Sequence, residues 1–474
     1  MLPLESEILL FRIKGGIELD RAISKTDEEG IKAGLTEAIN NLIVKVNSNA
    51  LVVSGLGGSL YLWPKNYRST RQYELPEDAH CKAILKFVTV EINDDIKKLS
   101  KKKSTNIIPV KVINLQIMFE LTRLDVIESV TVQHNTKSCI YFKLTLPVDV
   151  VILANPDDPW GNLQNQIVEA VSTQLSEMKK CIQRYTKEMS VPIPQAFHFE
   201  LPDKTTLTTV IYPAGISEET LETQRKELHT ELGLGDMPFL RRPMAFDFPN
   251  DELKNKHVKN LHKYISLPSS DMFKIHMSHG SYSYQHLSDN GWNAAFRCLQ
   301  TTISWFNFQG YINIPIPTLE DMQRMLTSLD KTSEGVVTLD WFGSVTFSEV
   351  LTSLGISTAS MNIQPAPDTS MDSSHLIAHF ENHGTPIVIY AVQIGNVEEA
   401  AEAPEVIEPK AYMLLGVAVS AVSDDRKFLI LDAQCTASDD LVSMVEKAIE
   451  WKSNEFWEQS ELFELCLPQR PDGV

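Results

Sequence analysis

The pattern of apolar runs predicts an α+β protein in two parts, an N-terminal mixed α/β domain over residues 1–270 and a second α+β domain over residues 271–474. A chain of 474 residues exceeds what one compact core organises. The first ~150 residues alternate strand-like runs with polar interruptions, whereas from about residue 273 a buried helix comes first and apolar strands follow. Charge divides at the same place. Residues 271–474 carry 28 acidic and 10 basic side chains, or −18 of the total −19, so the first 270 residues are near neutral.

In the N-terminal part, residues 8–13, 50–63, 83–92, 110–121 and 140–153 read as strands, and 36–46 as an amphipathic helix. After Pro159, the side chains Ile167, Val171, Leu175, Met178, Ile182 and Tyr185 recur at helical spacing, which predicts a long core-facing helix over 160–189. A subdomain break is expected near 155–190. Residues 190–270 are rich in proline and polar groups and read as short elements leading into the second domain. That domain contains helix or strand segments at 292–308, 319–330, 347–354, 375–382, 386–392, 414–421, 427–432 and 438–449.

Asp289, Asn290 and Gly291 supply cap and turn chemistry just before the apolar run 292–308, so a largely buried helix starts there. A thiol in its first turn would be acidified, because the partial positive charge of a helix N-terminus favours thiolate. The residue at that place is Ala294.

The run Asp289-Asn290-Gly291-Trp292-Asn293-Ala294-Ala295-Phe296-Arg297-Cys298-Leu299-Gln300 resembles the cysteine proteases specific for the ubiquitin-fold modifier, which carry Asp-Asn-Gly-Trp-Gly-Cys-Ala-Tyr-Arg-Ser-Leu-Gln-Thr before a buried helix. The resemblance is to the longer, two-domain form (peptidase C78-like). It extends through Leu10-Phe11-Arg12-Ile13-Lys14-Gly15-Gly16, Ser48-Asn49-Ala50-Leu51-Val52, Leu146-Pro147-Val148-Asp149, Arg225-Lys226-Glu227-Leu228-His229 and Leu465-Cys466-Leu467-Pro468-Gln469-Arg470-Pro471. It implies a papain-like fold for the second domain, whose helix-first order agrees. It also implies that Ala294 replaces the nucleophile and that Trp292 and Asn293 contact the substrate tail.

Phe428-Leu429-Ile430-Leu431-Asp432-Ala433-Gln434 is similar to the family's Phe-Leu-Ile-Leu-Asp-Pro-His, so Asp432 is retained and Gln434 replaces the histidine. A second family histidine corresponds to Tyr412. The family tyrosine that steadies the oxyanion aligns with Leu287, with Tyr282 and Tyr284 as alternatives. A thiol protease needs a base that takes the thiol proton and returns it to the leaving amine, which glutamine cannot do. The twelve histidines run from His80 to His383, so none lies near Asp432 in sequence.

The expected function is therefore that of a catalytically inactive homologue of the modifier protease. It would act as a binding or scaffold protein in the modifier pathway, with the modifier and its conjugates as partners. A membrane-anchored adaptor at the endoplasmic reticulum would bind the N-terminal domain. Its expected location is cytoplasmic and peripheral to that membrane, with nuclear entry left open. The alternative is an active thiol protease that matures the modifier precursor and deconjugates it, using Cys298 or Cys435 with a base not identified in the sequence.

Composition narrows other classes. The acidic C-terminal half repels nucleic-acid phosphates and fits a basic partner or simple solubility. Six scattered cysteines, Cys81, Cys139, Cys181, Cys298, Cys435 and Cys466, lack any CxxC pair, so reduced thiols are expected. Neither a signal peptide nor an apolar run approaching ~20 residues is present, so no membrane span is expected. The segment 393–410 reads as an acidic disordered insertion beside the old active site.

Five further features are read as structural. Cys298 lies one helical turn beyond Ala294, displaced by about 6 Å along the axis, and is expected to be a buried structural thiol; Cys435 lacks a local base. His375, His379 and His383 recur every four residues without an outside ligand, so neither a metal nor a cofactor is expected. Gly55-Leu56-Gly57-Gly58 reads as a hairpin turn, and Lys97, Lys98, Lys101, Lys102 and Lys103 as a solvated loop.

Overall fold

The computed structural model describes residues 8–48, 51–55, 61–63, 79–92, 94–101, 110–119, 139–201, 204–249, 258–269, 272–284, 294–329, 344–364, 373–392, 410–435, 441–460 and 462–473. The chain forms two compact units and crosses between them repeatedly. Unit 1 comprises Met1–Asn93, Ile108–Leu221 and Ala245–Glu252; unit 2 comprises Asp94–Ile107, Glu222–Met244 and Leu253–Val474.

In unit 1, β1 (Leu9–Ile23) leads to α1 (Glu28–Asn47), then β2 (Leu51–Gly55), β3 (Tyr61–Trp63) and β4 (Val90–Glu91). The short helix α2 (Asp94–Leu99) belongs to unit 2, after which β5 (Lys111–Phe119), β6 (Ile140–Ala154), α3 (Trp160–Tyr185), β7 (Pro194–Phe199) and β8 (Thr208–Pro213) complete unit 1. The sheet runs β3-β2-β5-β1-β6, with β4 also on β5 and β7 paired separately with β8. Strand β1 pairs antiparallel with β6 from Leu9↔Ala154 to Ile23↔Ile140.

Alternation on β1 sends Phe11, Ile13, Ile17 and Leu19 into one core with Ile31, Leu35 and Ile39 of α1 and Val171, Leu175 and Met178 of α3. Leu10 and Val112 face the other way and pack with Phe248. That face also holds a buried ion pair in which Arg12 Nη2 lies 2.6 Å from Asp149 Oδ2, with the Arg12 guanidinium 3.6 Å above the Phe248 ring. Helix α1 starts well before residue 36 because the Asp27 side chain caps it, accepting from Gly30 N at 3.2 Å, and Glu28 and Glu29 complement its dipole.

The expected strand over 83–92 is corrected. Cys81–Lys86 forms a 3₁₀ helix and only Val90–Glu91 is extended. The amides of Cys81 and Lys82 donate to Asp158 O and Pro156 O, so the backbone is satisfied without a strand partner. Strands β2 and β3 are antiparallel neighbours, as a hairpin requires, while residues 56–60 of the glycine turn lie outside the described residues.

Unit 2 contains α4 (Glu222–Leu232), β9 (Val258–Lys259), β10 (Phe273–Met277), β11 (Ser283–Tyr284), α5 (Ala294–Phe308), α6 (Leu319–Leu329) and α7 (Ser344–Ser353). It continues with β12 (Ser357–Ile363), α8 (Ser374–Asn382), β13 (Ile387–Val392), β14 (Lys410–Ser420), β15 (Arg426–Asp432), α9 (Leu441–Lys447), β16 (Ile449–Lys452) and β17 (Leu462–Gln469). Its antiparallel sheet has the order β12-β17-β13-β14-β15-β16, with β10 also on β14. On β14, Ala411, Met413 and Leu415 enter the core that holds α5, α7 and α9. Leu414 and Val417 enter a second core with Phe380 of α8, Phe456 and Trp457. The helix-first, sheet-later arrangement is the papain-like α+β class.

Lys97, Lys98 and Lys101 are exposed, but the expected loop is in part the helix α2. Leu99 is fully buried in the main core of unit 2, which gives these residues reason to coil. Lys102 and Lys103 lie outside the described residues, as does 393–409 of the acidic insertion.

Candidate functional site

Helix α5 begins at Ala294, whose methyl group is buried, with 4 % exposure. Nearly every side chain of this helix faces protein, so it passes through the unit as a core element. Arg297 is the exception in chemistry: it is charged, yet buried three residues after Ala294. Its Nη1 donates to Ala433 O at 2.9 Å, fastening α5 to the turn that follows β15. An arginine inside an otherwise apolar run signals in the sequence that some buried partner is needed, but not which one.

Asp432 ends β15 and is half-buried. Its amide donates to Ala448 O at 2.6 Å, and its carboxylate Oδ1 accepts from Gln434 N at 2.9 Å. Gln434 itself is exposed. The Tyr284 hydroxyl donates to Asp432 O at 3.2 Å, giving the turn a second tie. Burial pushes the Tyr284 phenol pKa upward, with Cys435 as the next contributor. The hydroxyl therefore stays protonated at neutral pH.

Tyr282 has another role. Its hydroxyl accepts from His262 N at 3.2 Å, the His262 ring stacks on it with centroids 5.4 Å apart, and burial pushes the imidazole pKa down to about 3. Of the two tyrosines offered by the sequence, Tyr284 is the one at the Asp432 turn. Leu287, Trp292 and Asn293 lie outside the described residues.

The two candidate thiols differ. Cys298 is fully buried, and burial first, then the Asp432 carboxylate, pushes its pKa upward, so it remains a neutral thiol. Cys435 is half-buried and its amide donates to Asp432 O at 3.3 Å. Among the described residues no histidine bonds to Asp432, Gln434 or Arg297. Tyr412 is the cross-strand partner of Asp432, and its ring packs edge-on against Phe456 at 5.3 Å, in the core on the face away from α5. The tyrosine at this position is thus a packing residue.

Elsewhere, His379 Nε2 lies 2.8 Å from Thr385 Oγ1 and 3.1 Å from Thr385 O, on a buried face. Among the described residues no group of three or more potential ligands has metal-site geometry. No described helix is long and apolar enough to cross a membrane.

The arrangement defines a thiol-protease-type fold in which α5 is joined to the turn after β15, with Ala294 at the start of the helix and Gln434 on the turn. Residues 36–253 match the family model described as Ubiquitin-fold modifier 1 specific protease 2, N-terminal, and residues 270–466 match Peptidase family C78. The chain is 36 % identical to Ufm1-specific protease 2 of Gallus gallus over 475 residues, spanning 98 % of this chain and all of that one. It is 34 % identical to Ufm1-specific protease 2 of Homo sapiens over 481 residues, spanning 99 % of each. The crystal structure of UfSP from C. elegans superposes with a TM-score of 0.66 at 19 % identity, covering 99 % of this chain and 78 % of that one. This chain belongs to the Ufm1-specific protease family.

Proposed function

We propose that the chain is a catalytically silent Ufm1-specific protease homologue that acts by binding, as a holder of Ufm1 or its conjugates or as a scaffold in the Ufm1 pathway. The observation that carries the reading is the methyl group of Ala294 at the start of α5, opposite a turn whose histidine position is Gln434. Thiol proteolysis requires both a sulfur nucleophile and a proton shuttle. Asp432 alone can orient a partner but has no imidazole to orient. Burial of Cys298 as a neutral thiol weighs against a working protease built on that residue.

Ufm1 and its conjugates are the partners that relatives' names suggest. The full-length match of both halves supports retention of an N-terminal recruiting role toward a membrane-anchored adaptor at the endoplasmic reticulum. The test is to incubate the purified chain with Ufm1 bearing an electrophilic C-terminus and with a processable precursor, and separately to measure binding to unreactive Ufm1. Binding without capture or cleavage is expected. Covalent capture or cleavage would end the silent reading, whereas absence of binding would restrict the role to a scaffold.

A further inference from the structure

We propose that Arg297 is the positioning residue of this site, holding the turn at 432–434 against the first turns of α5, so that geometry able to poise a thiol persists after the thiol and imidazole have been lost. The inference rests on the silent reading above. Three contacts independent of the Ala294 and Gln434 side chains maintain the turn: Arg297 Nη1 to Ala433 O at 2.9 Å, Tyr284 hydroxyl to Asp432 O at 3.2 Å, and Asp432 N to Ala448 O at 2.6 Å. The Asp432 carboxylate is already engaged with the backbone of the residue that carries the missing side chain, accepting from Gln434 N.

Arg297 is the only one of these contacts that originates on α5. It is 5 % exposed and lies three residues from position 294, so on a helix it shares that position's side. A guanidinium buried in an apolar helix is costly unless its hydrogen bonds are met, which favours the bound arrangement over alternatives. Among the described residues the other ionisable groups facing the turn are Asp432, Tyr284, Tyr412, Cys298 and Cys435. Burial keeps Cys298, Tyr284 and Tyr412 neutral at pH 7, so among the described residues Arg297 and Asp432 are the charged side chains that meet at this turn.

The consequence is that two substitutions should rebuild a poised thiol. In Ala294→Cys/Gln434→His the Sγ proton would pass to the imidazole, leaving a thiolate and an imidazolium with no change in net charge. Asp432 would stabilise the imidazolium. Arg297 would touch neither reacting atom and would act by placing the turn.

The test follows alkylation of position 294 by iodoacetamide as a function of pH, in the full chain, with the modified peptide quantified by mass spectrometry. Relative to Ala294→Cys alone, the double variant should show a midpoint lower by at least about one unit, a roughly tenfold gain in thiolate below the midpoint. Adding Arg297→Met should return the midpoint to that of the single variant while circular dichroism remains native. If the methionine variant does not fold, Arg297→Lys decides, because it keeps the charge but loses the forked donor geometry; its midpoint should rise by at least about half a unit. A double variant with no lowered midpoint, or a lowered midpoint that survives removal of Arg297, overturns the proposal. Capture of the unmodified chain by electrophilic Ufm1 would instead overturn the silent reading, so the two failures are distinguishable.

Discussion

Under the proposed silent reading, Ala294 and Gln434 interrupt different parts of one proton transfer, and this sets what a single repair can achieve. A cysteine at 294 would supply sulfur in the first turn of α5, where the helix dipole favours thiolate, but no imidazole would protonate the leaving amine. Ala294→Cys alone should therefore show no measurable cleavage of a Ufm1 precursor in an assay that detects the active relatives; turnover by this variant would refute the missing-shuttle argument. On that reading the positions concerned, Ala294, Asp432 and Gln434, were legible in the sequence because they fall inside motifs. The role of Tyr284 was not, because a choice between Tyr282 and Tyr284 depends on which hydroxyl reaches across 148 positions of chain to Asp432 O. Tyr412 shows the same limit: strand alternation and its Phe456 contact place its ring away from α5, although motif alignment puts it at a catalytic-family position.

Helices with long apolar periods were the most legible elements. Helix α3 runs from Trp160 to Tyr185 with Ile167, Val171, Leu175, Met178 and Ile182 buried along its length, as the spacing requires. Leu175 is fully buried in the core beneath β1 and β6. Leu175→Ala should lower stability by about 2–5 kcal/mol through lost transfer energy and a residual cavity, read as a drop in the urea midpoint of unit 1. An unchanged midpoint would show that α3 is not anchored there. Short elements were less legible. The 83–92 segment has strand-like composition but becomes a 3₁₀ helix because carbonyls at 156 and 158 accept its first amides. Strand β17, between β12 and β13 in the sheet, lies in a stretch recognised by motif without being recognised as extended.

At the scale of the molecule, unit 2 gathers five histidines whose pKa values are lowered chiefly by burial: His262, His276, His279, His379 and His383. For His262 and His379 burial lowers the folded value to about 3, against the ordinary 6.5 of an exposed imidazole. The unfolded chain therefore binds more protons than the folded one across that interval, and stability rises with pH there. Their contribution is complete above about pH 6.5 and is lost progressively as pH falls from about 6.5 toward 3. The denaturation midpoint of unit 2 should drop between pH 7.5 and 5.5, before the carboxylates protonate. Equal midpoints at the two pH values would contradict neutral burial of these histidines.

Family, α+β class and the main helices were legible without a structure, because each is encoded locally as a motif or a period; the identities of Ala294 and Gln434, on which the silent reading rests, lie in such motifs too. Tertiary structure decided the rest. The chain enters unit 2 at Asp94–Ile107 and again at Glu222–Met244 before committing to it, and returns to unit 1 for Ala245–Glu252. Such crossings leave no local signature, since they depend on which distant surface buries Leu99 or Phe248. The bond from Arg297 to Ala433 O is of the same kind: 136 positions separate its ends, and only packing of α5 beside β15 makes them neighbours.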